Sequence, residues 1–423
     1  MSRLAVLGGT PVRHDRAWPR WPQHDAATEQ EVVAAIRSGR WAISWPSDGA
    51  KARERRFAEE WARYNDVPYC VSVDHGSSAL LVALEALDVG PGDEVVVPAM
   101  TWVAPVTAVL RCGALPVLVD VDPRTGCATA ESVRAGLSER TKAVIVVHLG
   151  ATVADLDGIL AVTEQAGVPL VEDCAQAHGA RWRGRAVGAL GAVGVFSFQN
   201  GKVLAGGEGG AVITKDVELY RRAQQLRADS RRYPDEEVPA GVMELIEAGE
   251  VMGANYCMSE LSAAVLLDQL PRLDAQHRHR EKVAAELERG LAELGGFEPI
   301  PVPPQAERRS IYEYGILFEE GTFGAVPATR VAEAVSAELG LAVYPPDAPL
   351  NRSLMLRPHT KRRFAEIWTA EGRARAVGRD YSGAEKFAES ALLFHHGALL
   401  GDPADAADVV AALAKVRDHH AEL

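Results

Sequence analysis

The sequence predicts an α/β protein, with a large domain built on a mostly parallel sheet and a smaller C-terminal α+β domain. Three features of the chain predict it. Short apolar runs recur through its first half, and several are apolar at every position, as strands covered on both faces must be. Helical patterns lie between most of the early runs, and strand alternating with helix implies crossover connections. The length of 423 residues exceeds one typical domain and suits a large domain with a smaller one.

In chain order, residues 1–25 form an arm rich in Pro and Trp, expected to wrap the surface. Thr28 and Glu31 have capping-box spacing, which predicts a helix through Val32–Ile36. The expected strands are Tyr69–Val73, Glu94–Pro98, Pro116–Asp122, Ala143–His148, Pro169–Asp173, Val193–Phe198 and Ala211–Thr214. Ala79–Leu87 shows the helical pattern that separates them. From about Lys215 the pattern changes. Ser230–Gly253 is polar and punctuated by Gly and Pro, a long loop of the kind that is usually functional or mobile. Ser259 to about Leu294 reads as helix interrupted at Pro271, followed by short strands and helices. The expected division is 1–260 for the large domain, with its arm, and 261–423 for a linking helix and the small domain.

A formal net charge of −13 repels phosphate backbones and anionic membranes, so neither nucleic acid nor a membrane is an expected partner. The apolar run at Leu4–Leu7 is too short for a secretory signal, and no stretch approaches the roughly 20 residues that span a bilayer. Five cysteines without CxxC spacing read as reduced thiols in a cytoplasmic protein, and no metal is expected.

Four segments carry side chains suited to chemistry. The apolar strand ending at Asp173 puts an acid where open α/β sheets bind ligands, although a helix-capping Asp would look the same. Lys202 follows the Phe196–Phe198 strand and precedes the glycine cluster Gly206–Gly210. Glycines let backbone approach a bulky ligand closely, and desolvation can strip such a lysine of its proton. The neutral amine can then form an imine. The alternative is a surface lysine beside a turn. Asp74–Ala79 places Gly76, Ser77 and Ser78 at a helix start, which suits a phosphate, though serine there is also an ordinary cap. Trp102, just past the Glu94–Pro98 strand, has a face on which a flat ring could stack, or it fills core. Together the four supply a phosphate cup, a stacking surface, an acid and an imine-forming amine. Those are the parts that pyridoxal phosphate requires, the acid keeping its ring nitrogen protonated.

The order and wording of these segments resemble the DegT/DnrJ/EryC1/StrS aminotransferases, from Leu7-Gly8-Gly9-Thr10-Pro11-Val12 into the C-terminal domain. The resemblance implies the aspartate-aminotransferase-like fold (fold type I) with pyridoxal phosphate carried by Lys202 as a Schiff base. It implies Asp173 at the ring nitrogen, Gln176 near the ring hydroxyl and Trp102 stacked on the ring. Ser77, Ser78 (through its amide) and Ser197 would serve the phosphate. Gly253–Glu260 looks like the segment whose Asn reaches the neighbouring subunit's phosphate, which maps to Asn255 and implies a homodimer with shared sites. A branch with His at the lysine position dehydrates sugars; Lys202 argues against it.

Many nucleotide-sugar members have Arg where this chain has Cys257. With Leu226–Arg232, Glu247–Gly253 and Arg357–Arg363, that departure looks more like the cyclitol aminotransferases, which aminate scyllo-inosose or 2-deoxy-scyllo-inosose with L-glutamine as donor in aminocyclitol antibiotic pathways. The expected reaction is therefore transfer of an amino group from a small-molecule donor to a ketone acceptor. Arg227, Arg231 and Arg232 are candidates for gripping the donor carboxylate, or form a solvated basic loop. Polar groups on the Ser230–Gly253 loop and near His359 are expected to meet the acceptor's hydroxyls. The alternatives are a nucleotide-linked keto sugar as acceptor, a 3-amino-5-hydroxybenzoate synthase-like enzyme, and a non-catalytic cofactor-binding regulator.

Overall fold

A seven-stranded sheet forms the centre of the larger part of the molecule. In the computed structural model, which describes residues 3–236 and 238–423, its strands are β1 (Tyr69–Val73), β2 (Glu94–Pro98), β3 (Leu115–Val119), β4 (Thr141–Val147), β5 (Leu170–Asp173), β6 (Val193–Ser197) and β7 (Gly210–Thr214). Their order is β1-β7-β6-β5-β4-β2-β3. Only β7 runs antiparallel to its neighbours; the other pairs are parallel. The helices are α1 (Ala26–Arg37), α2 (Arg53–Tyr64), α3 (Gly76–Ala86), α4 (Ala104–Arg111), α5 (Ala130–Gly136), α6 (Leu156–Ala166) and α7 (Val217–Arg227).

Side-chain alternation sorts the strands' apolar residues onto two covered faces. Val95, Val97, Ile145 and Val147 join one core with α3 and α4. Val96, Val144 and Val146 join the other with α2, α5 and α6. Burial on both faces explains why these strands read as unbroken apolar runs.

Two local expectations shift by a few residues. The α1 cap is Asp25: its Oδ1 accepts from Ala27 and Thr28 N, while Thr28 Oγ1 accepts from Asp25 N. The capping box is therefore Asp25–Thr28, not Thr28–Glu31. Strand β3 stops at Val119, short of Asp122. Asp122 Oδ1 instead accepts from Arg124 N and Thr125 N, turning the chain.

Helix α8 (Glu260–Gln269) follows and packs against α1 and α2. Pro271 lies in the 3₁₀ turn Leu270–Arg272, and α9 (Leu273–Leu294) follows. A four-stranded antiparallel sheet is formed by β8 (Phe297–Pro299), β9 (Glu313–Phe318), β10 (Val343–Tyr344) and β11 (Ala391–His395), in the order β8-β9-β11-β10. Helices α10 (Ala328–Leu339), α11 (Ala370–Val377), α12 (Ser382–Ser390) and α13 (Asp405–Asp418) complete it. The N-terminal arm is bonded to this C-terminal part. Ala5 N and Val12 N donate to Glu338, and Arg13 pairs with Asp405 and Asp408 at 2.8 and 2.7 Å. Among the described residues of 230–253, an irregular loop, Arg231–Arg232 forms a two-residue ladder against Ile246–Glu247. All five cysteines are unpaired. Among the described residues no helix is long and apolar enough to cross a membrane.

Candidate active site

A cavity of about 530 Å³ opens beyond the C-terminal ends of the sheet strands, under a wall supplied by the C-terminal part. Its size suits a small cofactor with a substrate. The residues following β1 (His75–Ser77), β2 (Met100–Trp102), β4 (Gly150), β5 (Asp173–Gln176) and β6 (Ser197–Lys202) all contribute to its lining. This is where an open α/β sheet gathers ligand-binding loops.

Helix α3 starts without a side-chain cap, its N-cap His75 in extended conformation. The N–H groups of its first turn are thus left for an external acceptor, and the helix dipole favours an anion there. Gly76 is required by close approach: a Cβ there would lie 2.6 Å from Ser197 Cβ. Gly210 plays the same part, since a Cβ would stand 2.5 Å from the His75 carbonyl oxygen. Ser197 is thereby held against the helix start. Ser77 lines the cavity, while Ser78 is buried in the same turn. Trp102 lines the cavity and is 56% exposed, so its ring has a free face.

Lys202 stands half-buried in the wall, its Nζ 4.0 Å from the centroid of the Tyr312 ring. Among the described residues no carboxylate lies within ion-pair distance of it. Burial pushes the amine below the ordinary lysine value, against the opposing charges of Glu313 and Asp173. Burial likewise raises the Asp173 carboxyl, opposed by the Ala175 N–H and Lys202. Gln176 Oε1 accepts from Gly150 N at 2.6 Å, which leaves its amide NH₂ as the free end.

Glu172, one residue before Asp173, points away from the cavity as strand alternation requires. Burial works against its charge. His148 and the N–H groups of Gly191 and Gly188 outweigh that and hold it below the usual carboxylate range. Its oxygens also accept from Leu190 N, so it clamps the turn that leads into β6. His148 Nδ1 accepts from Ala154 N at 3.2 Å, placing the ring proton on Nε2, 3.4 Å from Glu172 Oε2. His148, Glu172 and Cys174 offer ligand atoms within 4.8 Å of one another. The oxygens of Glu172 and Nδ1 of His148 are already engaged by these protein bonds, and the trio serves as an anchor beneath β5. His178, ringed by Trp61, Phe196 and Phe198, is held neutral by burial, its pKa pushed to about 3. It donates through Nε2 to Ser197 O at 2.7 Å.

The structure thus gathers Ser77, Trp102, Asp173, Gln176, Ser197 and Lys202 around one cavity. Asn255 is exposed outside it; its Oδ1 accepts from Cys257 N. The expectation for the three arginines changes. Arg227 is 1% exposed and paired to Glu54 at 2.7 Å, so it cannot grip a substrate. Arg231 and Arg232 bond to Ala228 O and Tyr233 O and line no part of the cavity. Neither the described residues of the Ser230–Gly253 loop nor His359 lines it either. Its second polar wall comes from Tyr312, Glu313, Tyr344 and Asp347. The uncapped helix start, the open Trp102 face, the Lys202 amine and the Asp173 carboxyl together fit pyridoxal phosphate.

A family model described as the DegT/DnrJ/EryC1/StrS aminotransferase family matches residues 22–360. The L-glutamine:2-deoxy-scyllo-inosose aminotransferase of Streptoalloteichus tenebrarius is 47% identical over 420 residues, covering 99% of this chain and 99% of its own. The L-glutamine:scyllo-inosose aminotransferase of Streptomyces griseus is 44% identical over 423 residues, covering 100% of this chain and 99% of its own. The crystal structure of 3-amino-5-hydroxybenzoic acid (AHBA) synthase superposes with a TM-score of 0.79 at 29% identity, over 95% of this chain and 99% of that one.

The depressed lysine has a consequence for stability. Below its folded-state pKa, Lys202 is protonated in both folded and unfolded chains, and the full desolvation penalty weakens folding. Between that value and the ordinary 10.5, the unfolded chain binds more protons, so the penalty fades as pH rises. Lys202→Met should therefore raise the thermal midpoint of the cofactor-free protein at neutral pH, and the gain should shrink towards pH 10.5. Thermal scans of both proteins across that range provide the check. A variant less stable than wild type at neutral pH would contradict the burial argument.

Proposed function

The chain belongs to the DegT/DnrJ/EryC1/StrS family of pyridoxal-phosphate-dependent aminotransferases, and from that premise we propose that it moves an amino group from L-glutamine to a cyclitol ketone, scyllo-inosose or its 2-deoxy form, in aminocyclitol antibiotic biosynthesis. The observation that carries the acceptor is full-length identity of 47% and 44% to enzymes named for those two ketones. The AHBA synthase is a more distant match at 29%.

Pyridoxal phosphate supplies an aldehyde that takes up an amine and a ring that accepts the electrons left by proton removal. Lys202 holds it covalently through Nζ. With the donor bound, Nζ would stand as the general base for the donor's Cα proton and as the acid that gives a proton back. The same two transfers in reverse serve the acceptor. Asp173 keeps the proton on the ring nitrogen. Ser77, Ser197 and the amide of Ser78 hold the phosphate, Trp102 stacks on the ring, and Gln176 offers its free NH₂ to the ring hydroxyl. The assembly is a homodimer in which Asn255 serves the phosphate of its partner. Supporting this is an exposed apolar surface near Asn255. Backbone bridges Ala42–Ser259 and Pro46–Met243 bring together Trp41, Trp45, Val242 and Met243, each more than 40% exposed.

Two measurements follow from this. Catalytic efficiency with the cyclitol ketones should clearly exceed that with a nucleotide-linked keto sugar, both with L-glutamine and mass detection of the product. The reverse preference would overturn the acceptor. For the shared site, inactive Lys202→Ala subunits are mixed with weakened Asn255→Ala subunits. A mixed dimer then holds one site with both lesions and one with neither, so activity should rise above either parent. No rise despite demonstrated subunit exchange would contradict sharing.

A further inference from the structure

The wall supplied by the small antiparallel sheet carries chemistry that none of these roles uses. Glu313 opens β9 and Tyr344 closes β10, and both strands pair with β11 between them. The two side chains meet across the sheet, the Tyr344 hydroxyl donating to Glu313 Oε1 at 2.9 Å. Main-chain contacts at the Gly150 turn help to fix this wall against the large sheet. Tyr312 N donates to Gly150 O at 3.0 Å, and a Cβ on Gly150 (φ +63°) would stand 3.3 Å from the Glu313 carbonyl oxygen. Any larger residue at position 150 would push the wall outward.

The charges on the lining are lopsided. Among the described residues four carboxylates border the cavity, Asp173, Glu208, Glu313 and Asp347, against Lys202 and His75, and no arginine lines it. Asp173 is the cofactor's acid in the scheme above, and Glu208 stands at the mouth 3.8 Å from His75 Nε2. Glu313 lies deeper and half-buried, with Oε1 taken by Tyr344. Oε2 accepts no hydrogen bond from any described residue. A carboxylate has about four lone-pair sites, and Oε2 faces the cavity, so it is free to take donors from what binds there. A ring of neutral hydroxyls supplies them. A diphosphate supplies only further acceptors and negative charge.

We propose that Glu313 is a specificity-determining residue for the acceptor: its Oε2 accepts a hydrogen bond from a ring hydroxyl of the neutral cyclitol ketone. Tyr344 is the positioning residue that fixes the carboxylate's orientation. The assignment rests on the cyclitol acceptor argued above. It also explains why no basic channel is needed at this cavity, and why a substrate linked to a nucleotide diphosphate meets repulsion from Glu313 and Asp347.

The two half-reactions separate the roles. Glu313→Gln and Tyr344→Phe holoenzymes are given L-glutamine alone, and the change in cofactor absorbance is followed in a single turnover. The amine-loaded enzymes are then given the acceptor. For Glu313→Gln the donor half-reaction should stay within about two-fold of wild type, while kcat/KM for the acceptor falls about 10- to 100-fold, mostly through KM, as expected for losing a bond to a charged group. Tyr344→Phe should show a smaller loss with the same split. Retained cofactor absorbance and thermal midpoint show that both variants fold. Equal losses in both half-reactions, or an unchanged acceptor KM, would overturn the assignment. The wild-type acceptor screen reports separately on the acceptor class, and the variant comparison is run with whichever ketone the wild type turns over.

Discussion

A lysine amine held in a desolvating wall, without a carboxylate in contact, is the constraint around which this site is arranged. A carboxylate at about 4 Å in a medium of effective dielectric about 20 would favour the ammonium by about 4 kcal/mol, or about three pKa units. Such a partner would lock Lys202 in its protonated form and deny it to an incoming carbonyl. The structure instead sets the Tyr312 ring beneath Nζ. A ring face stabilises a cation by only about 0.5–2 kcal/mol. Asp173 and Glu313 remain beyond contact, near enough to temper the shift and too far to cancel it.

The backbone around this amine is built so that the functional groups are the ones left without partners. Along β5, alternation sends Glu172 to one face and Asp173 to the other. Glu172 takes backbone donors from Gly188, Leu190 and Gly191; Asp173 takes one, from Ala175, and lines the cavity. The same economy holds at α3, whose uncapped first turn faces Ser197 because Gly76 has no side chain to keep them apart. Beneath the Lys202 loop three histidines act as props. His178 donates to Ser197 O, and the Nε2 atoms of His395 and His396 lie 2.8 and 3.1 Å from Gly201 O. Burial lowers the pKa of all three, that of His178 to about 3.

Half of this cavity was legible in the sequence, and the division has a physical cause. Lys202, Asp173, Ser77 and Trp102 each follow a strand whose apolar run marks its own end, so their placement is a local signal. Glu313 and Tyr344 belong to a different sheet and Tyr312 stands just before it; they reach the cavity through tertiary contacts such as that at Gly150, which no periodicity reports. Arg227 was misread for a similar reason. In sequence it stands among basic residues of a polar segment, whereas its partner Glu54 lies 173 positions away. At the ends of elements, short polar residues compete for the same donors. That competition moved the α1 cap to Asp25 and ended β3 before Asp122.

The central claim is that Lys202 and Asp173 act on one cofactor from two sides, the amine moving protons and the acid holding one in place. Asp173→Asn tests it most directly, because the amide preserves shape and removes only the charge. Steady-state turnover with L-glutamine and a cyclitol ketone should fall by about 100-fold or more, the scale of a lost acid–base contribution, while the cofactor's absorbance shows that it is still bound. Turnover near the wild-type value with the cofactor bound would contradict the account.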